Sequence, residues 1–104
     1  MTILTYILDG KTPIVEPNIR EWDAWMKIAD HRTVLRSKIG EVIISTVFLG
    51  LDHSFSGGPP ILFETLVFGG QLDQEMTRCS TWEDAEIMHK LMCERVINCE
   101  EDKP

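Results

Sequence analysis

The sequence is short of positive charge: 10 Lys and Arg stand against 17 Asp and Glu among 104 residues, a formal charge of −7. Affinity for phosphate backbones comes mainly from clustered Lys and Arg, and the few present are scattered, which excludes a basic nucleic-acid-binding surface. The acidic balance reads first as a route to solubility, and it is also compatible with a basic partner. Long hydrophobic runs are missing as well. No stretch approaches the roughly 18 apolar residues of a membrane span, and the opening MTILTYILDGK has neither the basic region nor the cleavage site of a signal peptide. A cytoplasmic protein with no membrane contact is expected. Cysteine is sparse. Cys79, Cys93 and Cys99 are odd in number and form no C-x-x-C pair, so neither a disulfide framework nor a zinc knuckle is indicated, and reduced, partly buried thiols are expected.

What is present fits one domain over residues 1–104. Hydrophobic residues make up 43% and charged residues 26%, an ordinary globular balance, and a chain this short has only enough material for one core. Ile3 to Leu8 reads as a strand ending at the turn pair Asp9-Gly10, and Lys11 to Pro17 as a proline-punctuated connection. Asn18 is a good N-cap for an amphipathic helix carrying Ile19, Trp22, Trp25, Met26 and Ala29 and ending near Asp30. His31-Arg32 then suits the negative end of that helix.

Thr33 to Ile39 and Glu41 to Leu49 predict a hairpin about Gly40, and Ile61 to Phe68, fenced by Pro59-Pro60 and Gly69-Gly70, predicts an antiparallel neighbour. A short strand at Glu75 to Cys79 follows. Ser80-Thr81-Trp82-Glu83 then matches a capping box opening a helix through about Cys99, with Trp82, Ala85, Met88, Met92, Val96 and Cys99 on its apolar stripe and 100–104 as a frayed acidic tail. The three tryptophans, all at helical-stripe positions, are assigned to the core. The order β-α-β-β-β-β-α predicts an α+β fold, an antiparallel sheet of four to five strands with two helices on one face. Two nearly continuous apolar strands and only two helices leave one sheet face uncovered, which predicts a homo-oligomer.

The block STVFLGLDHSFSGGPPILFETLVFGG, Ser45 to Gly70, together with YILDGKTP and STWEDAEIMH, resembles a family of small proteins encoded by tailed phages and prophages. The resemblance covers most of the chain. It implies a phage or prophage origin and, by class, a role against host defence. It implies no reaction and no named site residues.

The loop Gly50 to Pro60 is the strongest place to look for a site, because eleven residues far exceed a tight hairpin turn. Asp52, His53 and Ser54 make its base polar, Gly57 and Gly58 let backbone amides approach a ligand, and the prolines limit its freedom. The plainer alternative is a wide connection with Phe55 tucked onto the core. Glu64-Thr65 and Ser45-Thr46 interrupt apolar strands, and alternation sends one member of each pair toward the helices. Glu64 is therefore either a carboxylate held inside by a partner or one facing water on the open side. If an anion is bound, Arg32, Arg36, Lys38 or Arg78 would have to supply the charge, the alternative for each being a solvated strand position.

The candidate ligand-binding set is Asp52, His53, Ser54, Gly57, Gly58, Glu64 and Arg32, with no metal, cofactor or catalytic residue assigned. Asp52, His53, Glu64 and His89 lack the spacing of a metal motif, and the P-loop, dinucleotide and nucleophile-elbow patterns are absent. The expected activity is binding, of a small ligand such as a nucleotide signal or of a host protein. A small enzyme built on Asp52, His53 and Glu64, or a structural phage protein, are the alternatives.

Overall fold

The computed structural model describes residues 4–54 and 57–101. Its elements are β1 (Tyr6–Asp9), β2 (Thr12–Val15), α1 (Ile19–Met26), α2 (Ala29–Arg32), β3 (Thr33–Ile39), β4 (Val42–Phe48), β5 (Phe63–Phe68), β6 (Met76–Cys79) and α3 (Trp82–Glu101). The fold is α+β. Its centre is a four-stranded antiparallel meander in the order β3-β4-β5-β6, and α3 runs across one face of it, in contact with all four strands.

The expected first strand forms, but outside this sheet. It pairs with β2, so the segment read as a connection is the return strand of a hairpin, in register Tyr6 with Val15 and Asp9 with Thr12. Pro13 lies within this return strand, opposite Leu8. A proline is tolerated on a strand whose amide needs no ladder partner, and a two-stranded hairpin consists of edges only. The reach of that strand back to Ile3 lies outside the described residues, as do the placement of Phe55 and the tail 102–104.

The first helix starts as expected, with the Asn18 side chain accepting from the amides of Arg20 and Glu21 at 3.0 and 3.2 Å. It ends early, at Met26, and a separate turn, α2, leads into β3. Ile28, with extended backbone, breaks the predicted continuous helix. The start of α3 shifts by one residue. Thr81 rather than Ser80 is the cap, its hydroxyl accepting from the Asp84 amide at 3.1 Å. Its end lies beyond Cys99, with Glu100 in the helix and its carboxylate accepting from the Gln71 amide.

Strand alternation decides which side chains are buried. Val42, Ile44, Thr46 and Phe48 of β4 and Phe63, Thr65 and Val67 of β5 face α3, whose buried residues are Ala85, His89, Met92 and Val96. Those last four follow the i, i+4, i+7, i+11 spacing of one helix face. The core is in two parts. Leu8, Phe48, Leu62, Phe63 and Ala85 form one cluster, and Val42, Ile44, Val67, Met92 and Val96 the other. Each buried aliphatic or aromatic side chain contributes about 1.5–3 kcal/mol, so these ten positions are the main source of stability.

The tryptophans expected in the core are only half-buried: Trp25 and Trp82 border the first cluster, and Trp22 donates its indole N–H to the Gly50 carbonyl. Trp25 lies edge-on to Phe48 at 5.7 Å and stacks on His31, and Trp82 lies edge-on to Phe63. Only α3 spans the sheet. α1 packs on β1 and reaches the sheet at its Phe48 end, so the two expected helices do not share one sheet face as equal layers.

Candidate functional site

Between the two apolar clusters lies a row of polar side chains. Thr46 and Thr65 are directly opposed on β4 and β5 and their hydroxyls are hydrogen-bonded. Thr46 Oγ1 is also 2.7 Å from His89 Nδ1, and His89 Nε2 is 2.8 Å from Ser37 Oγ on β3. His89 is 4% exposed. A neutral imidazole has one donor and one acceptor nitrogen, and a hydroxyl can serve either, so Ser37 and Thr46 satisfy the ring whichever nitrogen holds the proton. Burial lowers the His89 pKa from its ordinary 6.5, which favours the neutral ring that this row accommodates.

The arrangement has the order of a nucleophile, a base and an orienting group. Its third member, however, is a neutral threonine, which lacks the carboxylate that steadies an imidazolium. Its chemistry is that of a satisfied polar layer in a core.

Strand alternation sends one member of each polar pair toward the helices, and those members are Thr46 and Thr65. From sequence, His89 enters only with Asp52, His53 and Glu64 as a group that lacks metal-motif spacing. Its position four residues after Ala85 and three before Met92 is the signal that put it on the buried stripe. Ser37 had no such signal, because it sits in a strand of mixed polarity.

The 50–60 loop is held by its own side chains. Asp52 Oδ1 accepts from the amides of Ser54 and Ile61, both at 2.8 Å, and Ser54 Oγ donates to the Gly57 carbonyl at 2.9 Å. The His53 amide donates to the Ile61 carbonyl. Asp52 thus braces both sides of the loop base. His53 and Ser54 are half-buried, while Gly57 and Gly58 are exposed with positive φ and open space around them.

Gly50, at the loop's start, is buried with φ 74°, and a Cβ there would come within 2.6 Å of Met26 Sδ. Its carbonyl accepts from the Tyr6 amide at 2.8 Å and from Trp22 Nε1 at 3.2 Å. The loop's first glycine therefore serves docking of the N-terminal elements.

Glu64 faces the side of the sheet away from α3, as one of its two expected placements had it. It accepts from Arg78 Nε at 2.9 Å across the β5–β6 pair. Neither Arg32 nor His53 is its partner. Arg32, at the end of α2, holds a buried Nε with no hydrogen-bond partner. The structure thus gathers Asp52, Ser54 and Gly57 into one braced loop and leaves Glu64 in a separate ion pair.

That outer face is the one the meander turns away from α3. Ile43, Ser45 and Val47 of β4 and Glu64, Leu66 and Phe68 of β5 share it, with Arg36 and Lys38 of β3 and Met76 and Arg78 of β6 alongside by register. None of these residues is buried, and Phe68 and Met76 are 43% and 44% exposed.

Among the described residues, no cluster of three His, Cys, Asp or Glu is placed to hold a metal ion, and no helix is long and apolar enough to cross a membrane. The Cys79 thiol is pushed up in pKa, chiefly by burial, so little of it is present as reactive thiolate. Comparison with protein-family models, curated proteins and solved structures finds no match to this chain.

Proposed function

We propose that this protein acts by binding, as a phage- or prophage-encoded chain of the kind its sequence resembles, and that it blocks a host protein held on the open face of the four-stranded sheet. The carrying observation is that face itself. Ile43, Val47, Leu66, Phe68 and Met76 stand on it with no described element packed over them. Ile43, Val47 and Leu66 are half-buried and Phe68 and Met76 exposed, and contiguous apolar surface left open to solvent on a small domain marks an interaction site.

Its charge sharpens the choice of partner. Arg36, Lys38 and Arg78 are set against Glu64 alone among the strand residues of this face, in a chain whose net charge is −7. An apolar partner surface with an acidic border matches it. The groups expected to hold a small ligand are instead engaged internally, Asp52 by two backbone amides and Glu64 by Arg78.

A photo-crosslinking residue at Ser45, in the middle of the face, tests this in the bacterial host. A discrete adduct at Ser45 that is absent with the crosslinker at Lys90 and lost in the Leu66→Arg variant is the expected result. No adduct, or equal adducts at both positions, would count against it.

One observation favours a second reading. The unpartnered Arg32 Nε would suit an anionic ligand, such as a nucleotide, captured at the end of α2. Such a ligand at about 100 times its dissociation constant adds roughly 2.7 kcal/mol of stability, which a thermal-shift screen detects, and Arg32→Gln would abolish the shift.

A further inference from the structure

A second apolar surface flanks the core stripe of α3, on the side that faces β6. A groove of about 480 Å³ runs between α3 and the edge strand β6, lined by Thr77, Cys79, Ile87, Met88 and Leu91, with Asp84 and Arg95 toward its two ends. Ile87 and Leu91 are 58% and 54% exposed. On the helix, residues 84, 88, 91 and 95 recur at i, i+4, i+7 and i+11, so they form one stripe: acid, apolar, apolar, base.

The strand beside this stripe has free backbone groups. Val67 donates to the Glu75 carbonyl and accepts from the Gln74 amide, and Gln74 has φ 72°. This is a G1-type bulge in which glutamine occupies the left-handed position. Beyond the bulge the antiparallel alternation turns the backbone groups of Thr77 and Cys79 toward β5 and those of Met76 and Arg78 outward, where no described strand receives them.

We infer that a second copy of this chain docks here, β6 against β6 and α3 against α3 about a two-fold axis near Thr77. The stripe is self-complementary. When two copies are placed antiparallel, Asp84 of each meets Arg95 of the other and Met88 meets Leu91, which is what an isologous interface requires. The strand gives the same centre. Pairing Met76 with Arg78 of the second copy uses the outward backbone groups and sets the two Thr77 residues opposite each other.

Arg95 already bonds Glu75 at 3.0 Å, and Thr77 Oγ1 is buried without a partner. The dimer would thus place a charged pair at each end of the helix contact and a hydroxyl pair at the middle of the strand contact. The sheet becomes eight-stranded, and its outer face stays open and continuous. This inference does not depend on what that face binds. It also moves the expected oligomer contact from the open face to the sheet edge.

Analytical ultracentrifugation of the full chain tests it. The expected species is a dimer of the 11.9 kDa chain. Leu91→Glu, at an exposed position, should weaken it by roughly tenfold or more with an unchanged circular-dichroism spectrum. Asp84→Lys and Arg95→Glu should each weaken it, and the double variant should regain association. Under mild oxidation, Thr77→Cys should give a disulfide-linked dimer and Ile43→Cys should not. A monomer at all concentrations would overturn the inference, as would a dimer that resists Leu91→Glu but is dissociated by Phe68→Arg.

Discussion

His89 Nδ1 lies 2.7 Å from Thr46 Oγ1, inside a core where every other described helix residue with under 9% exposure is apolar. Removing the hydroxyl leaves a ring nitrogen and the Thr65 hydroxyl each short of a partner. Thr46→Val, nearly isosteric, should therefore lower unfolding free energy by about 1–3 kcal/mol, measured by urea denaturation. No loss would mean that the row carries little of the stability.

The same ring gives a pH dependence. The folded pKa of His89 is lowered, so between that value and its ordinary 6.5 the unfolded chain binds more protons than the folded one. The His89 contribution is fully present above 6.5 and is lost as pH falls through that window. Urea midpoints should fall from pH 7.5 to 5.5, and the fall should be smaller in His89→Gln than in His31→Asn or His53→Asn.

Gly50 and Gly10 provide a matched pair. Both have positive φ, at 74° and 63°, but a Cβ at Gly10 meets nothing within 4 Å whereas one at Gly50 meets Met26 and Trp22. Gly10→Ala should cost about 1–2 kcal/mol for the left-handed backbone alone. Gly50→Ala should cost more, by about 1–3 kcal/mol of overpacking, and should change tryptophan fluorescence as α1 shifts. Equal losses at the two sites would remove the steric account of Gly50.

Gln74 offers the opposite sign. It is the one non-glycine residue with positive φ among those described, and its bulge ends the β5–β6 pair. Gln74→Gly relieves the strained backbone and should raise stability by roughly 0.5–1 kcal/mol, less than the full left-handed penalty because glycine loses more freedom on folding. A lower melting temperature in this variant would contradict that reading.

Asp52 tests the status of the loop. Asp52→Ala deprives the Ser54 and Ile61 amides of their acceptor, so both should exchange faster with solvent, at a cost of about 1 kcal/mol. Asp52→Asn keeps an acceptor oxygen and should recover most of the protection. Unchanged exchange in Asp52→Ala would show that the carboxylate does not brace the loop.

The strands of the meander were legible because burial on one face writes itself as alternation. Val42, Ile44, Thr46 and Phe48 are in, and Ile43, Ser45 and Val47 are out. Turn residues were equally direct, with Gly40 between β3 and β4 and Gly69-Gly70 after β5. What escaped was β2, whose Pro13 reads as a breaker unless the strand is known to be an edge, and the break at Ile28, where helical periodicity continues through a residue with extended backbone.

The loop attracted attention for its composition, yet Asp52 and Ser54 there bond the loop's own backbone, a use that composition does not separate from ligand binding. His89 and Ser37 are 52 residues apart. Their pairing depends on α3 crossing the sheet at a particular angle, which no local pattern encodes.

Gly50 also bears on the order of folding. Each strand of the meander pairs with its neighbour in sequence. By contrast, the Gly50 carbonyl collects the Tyr6 amide and the Trp22 indole from 44 and 28 residues away. Contacts across such separations form after local ones, because more chain must be closed to make them. The sheet and α3 thus provide a template, and the hairpin and α1 assemble on its finished Phe48 end, the last part of the chain to arrive and the first to leave when the fold loosens.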